Sequence, residues 1–139
     1  MIKDPMVELT RVYHVSAAHR LASPALSDEA NAALYGTCTR PHGHNYYVEV
    51  TVAGRPDPVT GMAVDLAALD AAVDRAVTSR VDHQTLEAVP ELAGVITTGE
   101  SLARAFWRLL APEVPAGALR RVSVVETAKN RFEYEGGAR

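Results

Sequence analysis

At 139 residues, 47% hydrophobic and 22% charged, the chain is long and apolar enough to bury a core without staples, and residues 1–139 read as one globular domain. A net charge of −3 with no basic block argues against nucleic acid or an anionic membrane as partner. The single cysteine excludes an intrachain disulfide. The opening Met1-Ile2-Lys3-Asp4-Pro5 has no apolar core of signal-peptide length, and no stretch approaches a membrane span, so the expected setting is cytoplasmic.

The first predicted element is a strand over Val7 to His19. Its odd positions are the more apolar, so His19 ends the buried face and His14 sits on the wetter one. Ser23 to Leu34 is an irregular or short helical connection. It leads to Cys38-Thr39-Arg40-Pro41-His42-Gly43-His44, which packs the one cysteine and two of the five histidines into seven residues.

A β-branched and aromatic run follows, and the spacing predicts a strand from His42 to Val52. His42, His44, Tyr46, Val48, Val50 and Val52 then share one face. Residues two apart on a strand face lie about 6.6 to 7 Å apart at Cα, close enough for two imidazoles to converge on one ion. Two histidines hydrogen-bonded at a sheet margin would give the same pattern. A third imidazole weighs for metal. If the first two strands pair antiparallel, His19 at the end of one lies beside His42 and His44 at the start of the other.

Gly54 to Gly61 is dense in turn residues. Asp65 is a candidate N-cap for a helix with Leu66, Leu69, Val73, Ala76 and Val77 on its apolar side, ending near Arg80. Asp82 and His83 fall in a loop, where a solvated pair and a pair with a chemical role look alike. Thr97 and Glu100 have the spacing of a capping box opening a second helix, with Leu102, Phe106, Leu109 and Leu110 on its apolar face and Pro112 and Pro115 at its end. Strands over Arg121–Ala128 and Arg131–Glu135 close the chain, joined at Lys129-Asn130. Glu126 shares a face with Val122 and Val124, and a carboxylate there is costly without a donor. The fold class is therefore α+β: a four-stranded antiparallel sheet with two helices on one face, in the order ββααββ, with edges that favour oligomerisation.

Three neutral imidazoles leave an open zinc position, the pattern of catalytic sites, whereas Cys38 as a fourth ligand would close it into a structural one. Cysteine serves as a base when a nearby charge lowers its pKa. Glu126 can accept two hydrogen bonds from a guanidine-like edge.

Ser16-Ala17-Ala18-His19-Arg20-Leu21, Cys38 with His42-Gly43-His44-Asn45-Tyr46, Asp57-Pro58-Val59-Thr60-Gly61-Met62, Asp82-His83, Thr97-Thr98 with Glu100, and Val125-Glu126-Thr127 occur in this order. In them the chain resembles, over most of its length, the 6-pyruvoyl-tetrahydropterin synthase and 6-carboxy-tetrahydropterin synthase family, which has the tunnelling fold (T-fold). The resemblance implies zinc at His19, His42 and His44, proton transfer by Cys38 with Asp82 and His83, and pterin binding by Glu126 with Thr97 and Thr98. It also implies a homohexamer of two trimers with shared active sites, and 7,8-dihydroneopterin triphosphate as substrate.

Thr39, Arg40 and Pro41 form a three-residue spacer between Cys38 and His42, which is similar to the carboxy enzymes. That favours a 6-carboxy-5,6,7,8-tetrahydropterin synthase releasing triphosphate and acetaldehyde, as in queuosine-type deazapurine synthesis. Tyr35-Gly36-Thr37-Cys38 and His44-Asn45-Tyr46 are similar instead to the pyruvoyl enzymes, the alternative. A non-enzymatic, metal-stabilised oligomer of this fold is the reading from another class. Gly99 inserts a residue before Glu100 and departs from the family pattern at that glutamate. Arg20, Lys129 and Arg131 are basic candidates for the triphosphate.

Overall fold

The computed structural model describes residues 6–137. Strand β1 (Val7–His19) and strand β2 (His42–Gly54) pair antiparallel along their whole length, from Val7 opposite Gly54 to His19 opposite His42. The alternation that defines them also sets their faces. Val15, Ala17 and His19 of β1 are buried with Tyr46, Val48, Val50 and Val52 of β2, while Tyr47 and Val12 on the other face are exposed.

Between these strands, Ser27 caps helix α1 (Asp28–Tyr35) by accepting from Ala30 N–H. The buried Asn31 side chain accepts from Ser23 N–H and donates to the Ser23 and Leu26 carbonyls, closing the connection on itself. A 3₁₀ turn, Gly36–Thr39, then carries Cys38 towards β2.

Asp65 caps helix α2 (Leu66–Val73), accepting from Ala68 N–H, as expected. The helix runs on through a π-helical turn (Asp74–Thr78) into a last α-turn (Ser79–Val81). Its buried residues Leu69, Val73, Val77 and Val81 recur every four positions, a spacing that drifts around a 3.6-residue helix; the wider π turn brings them back onto one line facing the sheet. Helix α3 (Gly99–Leu110) buries Leu102, Phe106 and Leu110 in the same core and is followed by a 3₁₀ turn, Ala111–Glu113, containing Pro112.

Strand β4 (Leu119–Thr127) and strand β5 (Asn130–Tyr134) complete the sheet. The α+β architecture and the four antiparallel strands are present, but with β3 (Gln84–Thr85) the sheet has five strands among the described residues, in the order β3-β1-β2-β4-β5. The additional strand pairs parallel with Ala17 and Ala18 of β1, so the expected four-strand arrangement is incomplete. Two residues are too few for a periodic pattern, and this strand exists only through tertiary pairing. Helix α1 is likewise a third helix where a loose connection was an open alternative.

The start of α3 also differs from expectation. Thr98, not Thr97, is the N-cap and accepts from Ser101 N–H, which places Gly99 in the first turn and turns Thr97 inward. Gly99 owes its place to packing: a Cβ there would lie 2.0 Å from Cδ2 of Phe132 on β5. Gly99→Ala should therefore force Phe132 aside and destabilise the fold by about 1–3 kcal/mol, the usual cost of overpacking. Urea denaturation should show a lower midpoint with an unchanged slope, and an unaltered midpoint would contradict the packing account.

Candidate metal centre

The register that places His19 opposite His42 puts three imidazoles at one end of the core face. Ring centroids are 4.6 Å apart for His19 and His42, 5.1 Å for His19 and His44, and 5.0 Å for His42 and His44, all edge-on. One ligand atom from each lies within 4.8 Å of the others. The remaining ring nitrogens explain the orientation. His19 Nδ1 lies 3.0 Å from the Thr97 carbonyl and His42 Nδ1 lies 2.7 Å from the Arg40 carbonyl. A carbonyl only accepts, so both Nδ1 atoms carry hydrogen and both Nε2 atoms are left with lone pairs. His44 Nε2 is buried without a hydrogen-bond partner among the described residues. An orphaned buried nitrogen beside two Nε2 atoms that carry lone pairs fits a metal ion, and the three neutral nitrogens suit zinc.

Burial holds the His19 imidazole below its ordinary pKa of 6.5, assisted by His42, and burial does the same for His44. Neutral rings are the ligand form, so the cluster is ready for a cation near neutral pH. Glu126 opposes this trend at both rings by favouring their charged forms. It stands at a break in the β4–β5 register, where Val125 pairs with Arg131 but Thr127 pairs with Asn130. The extra residue is a bulge, a device that re-aims a side chain at a sheet margin. Tyr46 fills the floor, its buried hydroxyl 3.3 Å from His19 Nε2. Burial, with Glu126 and Glu87 nearby, pushes the phenol far above its normal range.

The other expected residues divide into two groups. Cys38 is near the cluster in the chain, its carbonyl accepting from Leu21 N–H at 2.7 Å, two residues beyond His19. It is not a member of the group of converging ligand atoms, which consists of the three histidines. Asp82 and His83 are likewise outside that group. Asp82 accepts from Ser16 N–H at 2.9 Å and from His83 Nδ1 at 3.1 Å, and the Ser16 contact chiefly holds its carboxyl below the usual range. The His83 side chain is 80% exposed, and its backbone is left-handed at φ 59°. His83 lines a shallow groove with Ser16, Gly43, His44 and Asn45.

Thr97 is 1% exposed, with Oγ1 3.1 Å from His19 Nδ1 and 3.2 Å from Glu87 Oε1. The sequence reading missed Glu87, because a glutamate in a three-residue 3₁₀ turn carries no local signal. Thr98 is occupied by its cap, and Glu100 is exposed in the first turn of α3. Among the basic candidates, Arg131 is gripped by Glu49 and Glu133, and Arg20 donates from Nε to the Thr39 carbonyl at 3.0 Å. Lys129 lies exposed at the β4–β5 turn.

The lowered pKa values of His19 and His44 carry a stability consequence. An unfolded chain binds these protons near pH 6.5, the folded chain only at lower pH, so folding stability is present above that value and is lost as pH falls through the folded pKa. The melting temperature of metal-free protein should drop between about pH 7 and about pH 5, and His44→Asn should shrink that drop. A profile that is flat, or that rises on acidification, would contradict the neutral-cluster account.

Comparisons with known proteins identify the family. The family described as 6-pyruvoyl tetrahydropterin synthase matches residues 8–137. The chain is 44% identical over 131 residues to the 6-pyruvoyl tetrahydrobiopterin synthase of Poecilia reticulata, covering 92% of this chain and 89% of that protein. It is 43% identical over 132 residues to that of Homo sapiens, covering 93% and 91%. The solved structure of Caenorhabditis elegans 6-pyruvoyl tetrahydropterin synthase superposes with a TM-score of 0.91 at 36% identity, over 99% of this chain and 100% of that one. The chain belongs to the 6-pyruvoyl tetrahydropterin synthase family.

Proposed function

We propose that this protein is a zinc-dependent 6-pyruvoyl tetrahydropterin synthase, eliminating triphosphate from 7,8-dihydroneopterin triphosphate and moving hydrogen from the side chain to the pterin ring. The observation that carries the proposal is the orphaned His44 Nε2 beside two oriented imidazoles, in a chain whose relatives bear that name. The Thr39–Pro41 spacer favoured the carboxy product, but loop length varies easily. The pyruvoyl-named relatives weigh more and favour the alternative.

His19, His42 and His44 would hold the ion. Zinc bound there supplies Lewis-acid stabilisation of a substrate oxygen and makes its hydroxyl more acidic. Glu126, aimed by its bulge, accepts two N–H bonds from the pterin edge. Cys38 takes a proton from the substrate side chain, and His83, with Nδ1 held by Asp82, presents Nε2 outwards to relay protons. Since Asp82 and His83 are not among the converging ligand atoms of their own cluster, we take them to serve the site of another subunit. The sheet edges at β3 and β5 and the exposed Val12 and Tyr47 on the outer face support assembly, which we take to be hexameric.

Incubation with dihydroneopterin triphosphate should yield a 6-pyruvoyl product by mass. Acetaldehyde release would instead mark the carboxy reaction, and unchanged substrate the non-enzymatic reading. Cys38→Ala should keep its metal while turnover falls about a hundredfold to ten-thousandfold. Reassembly of Cys38→Ala with His83→Ala subunits should restore up to about a quarter of the sites, since only mixed interfaces carry both groups. Mixtures as inactive as the separate variants would contradict shared sites.

A further inference from the structure

We propose that Glu87 is a positioning residue for His19, acting through the Thr97 hydroxyl to select the imidazole tautomer whose Nε2 is free to take a metal. The inference rests on the metal-binding reading of the cluster and goes beyond it, since it concerns a residue outside the three ligands and changes the part played by Thr97. A buried hydroxyl held between an imidazole and a carboxylate is oriented by both.

Proton polarity runs in one direction along this chain of contacts. A carboxylate at Glu87 only accepts, so Thr97 Oγ1, 3.2 Å away, gives its one proton to Oε1. Oγ1 then faces His19 Nδ1, at 3.1 Å, with lone pairs alone. The Thr97 carbonyl, at 3.0 Å, also only accepts. Both oxygens therefore demand hydrogen on Nδ1, which leaves Nε2 bare. The Tyr46 hydroxyl lies 3.4 Å from Nδ1 and 3.3 Å from Nε2, longer than either Thr97 contact and nearly equidistant, so it does not choose between them.

Glu87 is exposed as a residue, yet Oε1 is anchored, because the same oxygen accepts from Arg20 N–H at 2.7 Å. Arg20 follows His19 directly, so the carboxylate ties the end of β1 to the segment entering α3 on both sides of the ligand. Without Glu87, the Thr97 proton is released to point at Nδ1. That would favour the competing tautomer, with hydrogen on Nε2, where no metal can bind.

The test uses the full chain. The His19 tautomer is read in metal-free, nitrogen-15-labelled protein by two-bond nitrogen–proton correlation, and zinc affinity is read by competition with a chromogenic chelator. Wild type should show hydrogen on Nδ1. Glu87→Ala should populate the Nε2–H form and weaken zinc by about tenfold to a hundredfold, the usual effect of losing a partner of a metal ligand. Glu87→Gln should stay close to wild type, because a single amide oxygen can accept both bonds that Oε1 now takes. Adding Thr97→Val to Glu87→Ala removes the misdirected proton and should return hydrogen to Nδ1 and recover zinc affinity. If Glu87→Ala does not fold, Glu87→Leu replaces it in the same comparison.

A Glu87→Ala or Glu87→Leu protein with the wild-type tautomer and affinity would overturn the proposal, as would a loss that Thr97→Val leaves unrelieved, the mark of a merely structural role. A wild type that binds no zinc would instead sink the metal reading, while the tautomer measurement would still decide the relay.

Discussion

The register between β1 and β2 is the constraint on which the site depends. His19 stands opposite His42 because Val15 stands opposite Tyr46 and Tyr13 opposite Val48 along the same ladder. A slip by one residue would turn Tyr46, Val48, Val50 and Val52 out of the core. At about 1.5–3 kcal/mol for each large apolar side chain, the loss would be about 6–12 kcal/mol, comparable to the whole stability of a domain. Apolar burial therefore sets the positions of the imidazoles before any ion is present. The cost of crowding three rings at the core margin is small by comparison and falls on their charged forms.

Hydrogen bonding completes what burial begins. Strand parity delivers three rings to one place, but rings can present either nitrogen. The carbonyls of Thr97 and Arg40 take the Nδ1 protons of His19 and His42, so the lone pairs converge. Both carbonyls belong to irregular backbone, the approach to α3 and the extended residue before Pro41, where they are not committed to a ladder or helix. The loops thus act as orienting groups, and the strands supply the distance between the imidazoles.

Much of this was legible from residue order. The period-two pattern of Val7–His19 and His42–Val52 separates His14 from His19 and aligns His19 with His42 and His44, because both strands are long and their apolar faces unambiguous. Asp65 announced its helix for a similar reason, being followed by apolar residues at helical spacing. The features that were not legible depend on contacts distant in sequence. β3 is two residues held by β1, Thr97 turns inward because His19 and Glu87 are waiting for it, and the bulge at Glu126 arises from pairing with β5. Asp82 and His83 read as a loop dipeptide in the sequence, and only the fold shows Asp82 held by the Ser16 N–H of β1.

The central claim is that three imidazole nitrogens, and no thiolate, hold the metal, leaving a position open for substrate. X-ray absorption of the zinc-loaded protein measures this without reference to turnover. The account predicts only nitrogen and oxygen scatterers around the ion, at about 2.0–2.1 Å. A sulfur shell at about 2.3 Å would place Cys38 on the ion and contradict the open, three-histidine site.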